Sequence, residues 1–136
     1  MLSAAQHEAV TSEAARPLQI LAGPGSGKTR VLTSRVAHLV RDSAAPIAPE
    51  RCVVVTFTNR AANEMRARLE TMIGADRTRR LVLGTFHAVC VRFLRRWGTR
   101  LGLDPRFTIA DTDDARRLLR DVDRDAPVDA TLAAIS

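Results

Sequence analysis

Lysine is almost absent from this chain. Its 136 residues include 21 lysines and arginines together, and Lys28 is the only lysine. Because arginine supplies the positive charge everywhere else, the exception indicates a position where a planar guanidinium, with its fork of donors, does not fit. A compact ammonium fits such a position when it must lie beside a phosphate tail. The segment around Lys28 is therefore the first candidate for a binding site.

Cysteines and long apolar runs are also scarce. Cys52 and Cys90 are the two cysteines, and neither belongs to a C-x-x-C pair, so we expect small buried side chains in a reducing compartment. No apolar run approaches the roughly 20 residues of a membrane span. The N-terminus also lacks the basic segment followed by an apolar segment that marks a signal peptide. We expect an intracellular, soluble protein, nuclear if the organism is eukaryotic and cytoplasmic if it is bacterial.

The chain has 15 acidic residues against 21 lysines and arginines, which gives a net charge of +6 and a pI of about 11.1. Such a balance favours a polyanionic partner, with nucleic acid first, although a basic protein without such a partner stays open. The length suits one ordinary domain or part of a larger one.

Apolar runs alternate with stretches of helical periodicity. This alternation predicts an α/β fold with a parallel sheet, buried on both faces and flanked by helices. We predict a basic loop at residues 77–80 and a short extended piece at residues 107–110. The predicted strands are residues 18–22, 52–57 and 81–83, and the predicted helices are residues 4–15, 29–40, 59–73, 86–101 and 112–122.

A glycine-rich segment lies between the first predicted strand and the helix after it. Its pattern is that of a phosphate-binding loop, in which glycines permit the turn and the helix N-terminus aims N–H groups at phosphate. Lys28 is expected to reach the β- and γ-phosphates, and the Thr29 hydroxyl to hold Mg²⁺. The loop comprises Ala22, Gly23, Pro24, Gly25, Ser26, Gly27, Lys28 and Thr29.

Two further loops follow the second and third predicted strands, at residues 56–62 and 84–87. The carboxyl ends of parallel strands share one edge of a sheet, where ligands bind. Each loop offers hydroxyls for phosphates and an aromatic ring for a base. From the residues alone, Asn59 as a helix cap and Phe57 as a core residue remain open.

An acidic residue after an apolar strand, which a P-loop enzyme needs to hold Mg²⁺ and position water, is missing. The nearest candidate is Asp111 after residues 107–110, but that run is short and is interrupted by Thr108. We interpret Asp113 and Asp114 instead as first-turn residues of the last helix.

Four motifs in order resemble the UvrD/Rep-type superfamily 1 DNA helicases. They are L-S-A-A-Q at residues 2–6, A-G-P-G-S-G-K-T at residues 22–29, T-F-T-N-R-A-A at residues 56–62, where Arg60 replaces the usual lysine, and G-T-F-H at residues 84–87. The resemblance implies that Gln6 reads adenine and that Arg30 lies near the base and ribose. It also implies that Phe57 stacks on bases of single-stranded DNA, whose backbone is contacted by Thr56, Asn59, Thr85 and His87.

The resemblance further implies a RecA-like P-loop fold, ATP and Mg²⁺ as cofactors, and single-stranded DNA as partner. It implies 3′→5′ translocation with unwinding in repair or recombination, and two phrases are similar to the fungal anti-recombination branch. We expect residues 1–110 to be the N-terminal part of the ATP-binding domain and residues 111–136 to start an inserted helical subdomain. The acidic motif II and the second motor domain are not in this sequence, so we expect a monomeric fragment that is inactive alone. A small P-loop kinase and a non-catalytic nucleotide- or DNA-binding module are the alternatives.

Overall fold

Two parallel strands form the sheet in the part of the chain that the structure describes. The computed structural model describes residues 2–122 and 127–135. Strand β1 (Val53–Thr56) consists of β-branched residues, which favour extended backbone, and it pairs with β2 (Val82–Thr85). The register sets Val53 opposite Val82 and Thr56 opposite Thr85. Because parallel strands need a crossover, the intervening chain is helical.

Helices precede, connect and follow the two strands. Helix α1 (Ala4–Thr11) and helix α2 (Lys28–Ala37) come first, and α2 continues as a π-helical turn at His38–Asp42. A 3-10 turn at Pro49–Arg51 leads into β1. Helices α3 (Asn59–Ile73) and α4 (Ala75–Arg80) make the crossover, and α5 (Phe86–Trp97) follows β2 directly. None of the described helices is long and apolar enough to cross a membrane.

The core lies where α3 packs against the two strands and α2. Apolar side chains on one face of α3 recur three or four residues apart, as a helix with one buried face requires. Leu69 is fully buried at the centre of this face. The buried core residues are Val36, Ala37, Val40, Val54, Ala62, Met65, Leu69, Ile73, Leu81 and Leu83.

The predicted strand at residues 18–22 is wrong, since no strand forms there. Leu21 is 86% exposed, and Leu18 and Ile20 are exposed at 44% and 40%. Apolar content indicates that a run seeks burial, but a strand forms only where another strand satisfies its N–H and C=O groups. Here β1 and β2 pair with each other and not with this run. Burial of both sheet faces is also not found, because Val53 is 46% exposed.

The predicted basic loop at residues 77–80 is instead the end of α4. Thr78 is fully buried, and its hydroxyl donates to the carbonyl oxygen of Gly74 at 2.9 Å, which fixes the turn despite its charged neighbours. Two other helices are shorter than predicted, since α1 ends at Thr11 and α5 at Trp97. Cys90 is exposed and Cys52 is partly buried, so the prediction of two buried cysteines is wrong for Cys90.

The chain divides into two compact units after Leu94, within α5. The second unit contains a 3-10 turn at Gly98–Leu101, helix α6 (Thr112–Val122) and helix α7 (Val128–Ile135). Residues 107–110 form no strand. In that stretch the Phe107 ring lies beneath the guanidinium of Arg95, 5.2 Å from its centroid. The boundary at residue 110 stays a prediction, and residues 123–126 and 136 of the second predicted segment lie outside the described residues.

Candidate functional site

The glycine-rich loop opens directly into α2, as its pattern predicts, although no strand precedes it. Gly25 and Gly27 have φ angles of +74° and +83°, which glycine adopts without strain. Gly27 is the N-cap of α2 and provides no side-chain cap, so the first N–H groups of the helix remain open to a ligand. The loop thus has the backbone needed to surround an anion.

Lys28 folds back over this loop. Its Nζ donates to the carbonyl oxygens of Ala22 at 2.9 Å and Gly23 at 2.7 Å. An ammonium has three donors, so two hold the loop and one remains for a phosphate oxygen. The side chain is exposed. The arrangement fits a triphosphate tail, because the positive charge already lies at the loop.

Gln6 connects α1 to the same loop. Its Oε1 accepts from the backbone N–H of Ser3 at 2.9 Å, while the Ser3 hydroxyl accepts from the N–H of Gln6, which completes a capping box. Its Nε2 donates to the carbonyl oxygen of Ser26 at 3.0 Å. The Ser26 hydroxyl in turn donates to Gly23 at 2.7 Å. The glutamine is therefore tied into the loop whose ligand it is predicted to read.

A pocket of about 190 Å³ lies between α1, the loop and the run before it. Its walls combine small and apolar side chains with the polar groups of Gln6, Ser26 and Lys28, a combination typical of small-molecule sites. The lining residues are Ala5, Gln6, Ala9, Ile20, Leu21, Ala22, Ser26, Lys28 and Val31.

Thr29 and Arg30 are both exposed in the first turn of α2. No group of three or more His, Cys, Asp or Glu side chains that could hold a metal occurs among residues 2–122 and 127–135. A magnesium ion would therefore take the Thr29 hydroxyl together with oxygens from a bound nucleotide and water, which suits its preference for few protein ligands.

Two phenylalanines meet beside the paired strand ends. Phe57 and Phe86 follow Thr56 and Thr85, which are opposite each other in the register. Their ring centroids are 5.5 Å apart, with planes inclined by 48°. Phe57 is 91% exposed and Phe86 is 51% exposed, so Phe57 is not a core residue. We call Phe57 and Phe86 the aromatic pair.

The other residues predicted to touch DNA differ in their availability. Asn59 and His87 are exposed, next to the aromatic pair in sequence. Thr56 is buried, and its hydroxyl already donates to the carbonyl oxygen of Thr58 at 3.1 Å. The Thr85 hydroxyl accepts from the N–H of Ala88 at 3.3 Å, which leaves its proton free. Thr85 and His87 are therefore better placed than Thr56 to donate to phosphate.

Thr58, and not Asn59, caps helix α3. The Thr58 hydroxyl accepts from the N–H of Ala61 at 3.1 Å, and Asn59 is the first helical residue. Since Thr58 provides the cap, the Asn59 side chain is left available for another role.

Phe86 is the aromatic ring expected of the loop at residues 84–87, but its contact with Phe57 was not predicted from sequence. The signal that could have found it is the register, because two loops of the same composition follow strand residues that face each other. Parallel neighbours place such loops side by side, which brings their aromatic residues together.

Asp111 does not occupy an acidic strand. Its Oδ1 accepts from the backbone N–H groups of Asp113 at 2.9 Å and Asp114 at 2.8 Å, so Asp111 caps α6. Asp113 and Asp114 lie in the first turn of that helix, as predicted.

The chain is similar to known ATP-dependent DNA helicases. It is 50% identical over 113 residues to the "ATP-dependent DNA helicase PcrA" of Leuconostoc citreum, covering 83% of this chain and 15% of that protein. It is 42% identical over 130 residues to the PcrA protein of Staphylococcus epidermidis, covering 95% and 17%. It is also 45% identical over 102 residues to the "ATP-dependent DNA helicase srs2" of Schizosaccharomyces pombe, covering 75% and 11%.

The chain thus spans between 11% and 17% of the length of these curated relatives. Bacterial and fungal relatives resemble it to a similar degree. The UvrD/REP helicase N-terminal domain family matches residues 2–135, which is nearly the whole chain. The chain therefore belongs to the UvrD/REP helicase N-terminal domain family.

Proposed function

We propose that this chain is the nucleotide- and DNA-binding part of an ATP-dependent helicase that translocates 3′→5′ on single-stranded DNA and unwinds duplexes in repair or recombination. The observation that carries the proposal is one unit containing both a phosphate loop that opens α2 and an exposed aromatic pair at the paired strand ends. Family membership and the similarity to proteins named ATP-dependent DNA helicases support it. The protein works as a monomer inside the cell, in the nucleus of a eukaryote or the cytoplasm of a bacterium.

In this proposal the loop of residues 22–29 holds the triphosphate of ATP. Lys28 neutralises the β- and γ-phosphates with the donor that the loop carbonyls leave free, and Arg30 lies by the base and ribose. Gln6 reads adenine by exchanging its bond to Ser26 for one to the base. Magnesium, held through Thr29 and phosphate oxygens, supplies charge neutralisation where the phosphoryl group transfers.

In the same proposal single-stranded DNA crosses the strand ends. The Phe57 ring stacks on a base, because a ring that is 91% exposed has a face free for it. Phe86 supports that ring from the side, and the hydroxyl of Thr85, the ring of His87 and the amide of Asn59 contact phosphates. Thr56 joins them only if its hydroxyl leaves Thr58. The net charge of +6 strengthens binding without sequence preference.

Fluorescence anisotropy of labelled single-stranded DNA tests the DNA half of the proposal. Across a salt series, we expect Phe57→Ala to lose about 1–3 kcal/mol of binding free energy, the usual contribution of one base stack. Leu101→Ala is the matched control, because it removes an exposed apolar side chain outside the aromatic pair. Binding that falls with salt but is equal in Phe57→Ala and wild type would show that charge alone is responsible, and would reject the stacking role.

A further inference from the structure

Helix α1 is short for a helix that carries a ligand-reading residue. It has eight residues, and Val10 is its only buried one. Isolated helices of fewer than about 12 residues are marginal in water, so α1 depends on contacts to other elements. One end is fixed by the capping box and by the bond from Gln6 to Ser26.

The other end of α1 is held by a single side chain, Arg35 of α2. Its Nη1 shares two hydrogens among four acceptors, namely the carbonyl oxygens of Ala9 at 2.8 Å, Val10 at 3.4 Å and Ser12 at 3.1 Å, and the Ser12 hydroxyl at 2.7 Å. Its Nη2 approaches the carbonyl oxygen of Glu13 at 3.5 Å. These carbonyls lie at the end of α1, where helical partners run out.

The charge of Arg35 suits this position. The C-terminal end of a helix carries partial negative charge, and the last turn of α1 contains no basic residue of its own. A guanidinium directs several donors from one rigid plane, whereas a lysine offers a smaller group. Ser12 caps this end through its N–H to Glu8 and its hydroxyl to Ala9, and Arg35 adds charged donors from a neighbouring helix.

The spacing along α2 connects this contact to the nucleotide pocket. Arg35 follows Lys28 by seven residues, and Val31 lies between them, so all three share one face of the helix. Lys28 and Val31 line the pocket from α2, while Gln6 and Ala9 line it from α1. The same face of α2 thus forms one wall and, through Arg35, holds the other.

We propose that Arg35 is a positioning residue that sets how much the base end of the nucleotide contributes to binding affinity, because it fixes α1, and with it Gln6, against α2. This inference rests on the proposed function, because it takes the pocket to be the adenine site. It predicts separate effects on the two ends of the nucleotide. The phosphates bind the loop and the start of α2, which Arg35 does not touch, whereas the base binds the wall that Arg35 holds.

The test is an NMR titration of the 136-residue chain with Mg-ATP and, separately, with Mg-tripolyphosphate, which has no base. In Arg35→Met we expect the preference for ATP over tripolyphosphate to fall about three- to tenfold, the range for one lost hydrogen bond. Tripolyphosphate affinity should stay within about twofold of wild type. Arg35→Lys should recover part of the preference, since an ammonium still donates to these carbonyls.

Arg41→Met is the matched control. Arg41 follows α2, donates to the carbonyl oxygen of Met72 and pairs with Asp42, so its loss should leave the preference unchanged. If Arg35→Met does not fold, Ser12→Ala removes the hydroxyl that accepts from Arg35 at 2.7 Å, together with its bond to the carbonyl oxygen of Ala9 at 3.2 Å, and should reduce the preference about twofold. A wild-type ratio in the folded Arg35 and Ser12 variants, or an equal loss for both ligands, overturns the inference and leaves the proposed function intact. Equal wild-type affinity for ATP and tripolyphosphate overturns the adenine site itself, and the inference with it.

Discussion

At the residue scale, the glycine-rich loop is held closed by its own lysine. The Nζ of Lys28 spans the carbonyl oxygens of Ala22 and Gly23, so the ammonium stabilises the turn before any ligand arrives. A ligand phosphate then meets a charge that is already in place, which lowers the ordering cost of binding. The single lysine has a structural contact as well as a proposed ligand contact.

Lys28→Arg should weaken nucleotide binding although it keeps the charge. We expect at least about a tenfold loss of Mg-ATP affinity, because a guanidinium cannot place one donor on each carbonyl and a third on phosphate, and hydrogen bonds to charged groups are worth about 1.5–3 kcal/mol. Titration calorimetry or NMR measures the affinity. The unfolding midpoint serves as the control and should change little, since Lys28 is exposed and its two carbonyl contacts lie within the loop, outside the buried core. Equal affinities in the two proteins would refute the stated reason for this lysine.

At the element scale, α3 supports most of the core. Leu69→Ala should destabilise the protein by about 2–5 kcal/mol, because it leaves a cavity at a fully buried position. Urea unfolding followed by circular dichroism measures the change. Thr71→Ala, at an exposed position of the same helix, is the matched control and should stay within about 0.5 kcal/mol of wild type. A similar loss in both variants would indicate that α3 is not buried along the Leu69 face.

Local signals decided which elements could be predicted. Helix α3 was predicted closely, with its cap one residue too late at Asn59, since its apolar spacing and Gly74, with φ of +85°, are local features of the sequence. The conformation of residues 18–22 could not be predicted locally, because a strand depends on a partner that is distant in the sequence. The start of α4 depends on the buried Thr78, which no periodicity marks. In the candidate site, the glycine loop was predicted locally, but the proximity of Phe86 to Phe57 follows from strand register.

One ion pair links the turn before β1 to α4. Arg80 donates from Nε to the carboxylate of Glu50, and this hydrogen bond is the main reason that the pKa of Glu50 is lowered. A carboxyl group whose folded pKa is depressed stabilises the fold above its unfolded pKa, and that contribution is lost as pH falls through the folded pKa.

Glu50→Gln should therefore lower the urea midpoint more at pH 7 than at pH 3. The gap between wild type and variant should close as the pH falls below about 4.3, the ordinary value for glutamate. Because both side chains are about half exposed, added salt should also narrow the gap at pH 7. A gap that is independent of pH would show that Glu50 acts through packing instead of charge.

At the scale of the whole molecule, the described residues supply only part of what phosphoryl transfer requires. Residues 2–122 and 127–135 contain no acidic residue at the end of β1 or β2, and Asp111 is used as a helix cap. Phosphoryl transfer requires a metal-holding acid and a group that orients water. The three helicases similar to this chain are each roughly six to nine times longer than the segment that aligns with it.

We expect the 136-residue polypeptide to hydrolyse no ATP above background, with or without single-stranded DNA. A single-turnover assay with labelled ATP measures this, and DNA-stimulated turnover would contradict it. Joining the chain to the remaining part of a family helicase separates the alternatives. Recovery of DNA-stimulated hydrolysis supports a motor fragment, whereas continued inactivity supports a module that only binds nucleotide or DNA.

The single lysine also allows the loop to be labelled selectively. Because Lys28 carries the only side-chain amine and is exposed, an amine-selective acylating reagent has one side-chain target, and that target is inside the loop. The α-amine of the polypeptide also reacts, so intact-mass spectrometry would read occupancy of the loop as protection from the second of two acylation events. Most proteins need an engineered tag for such a measurement, but here the composition provides the reporter.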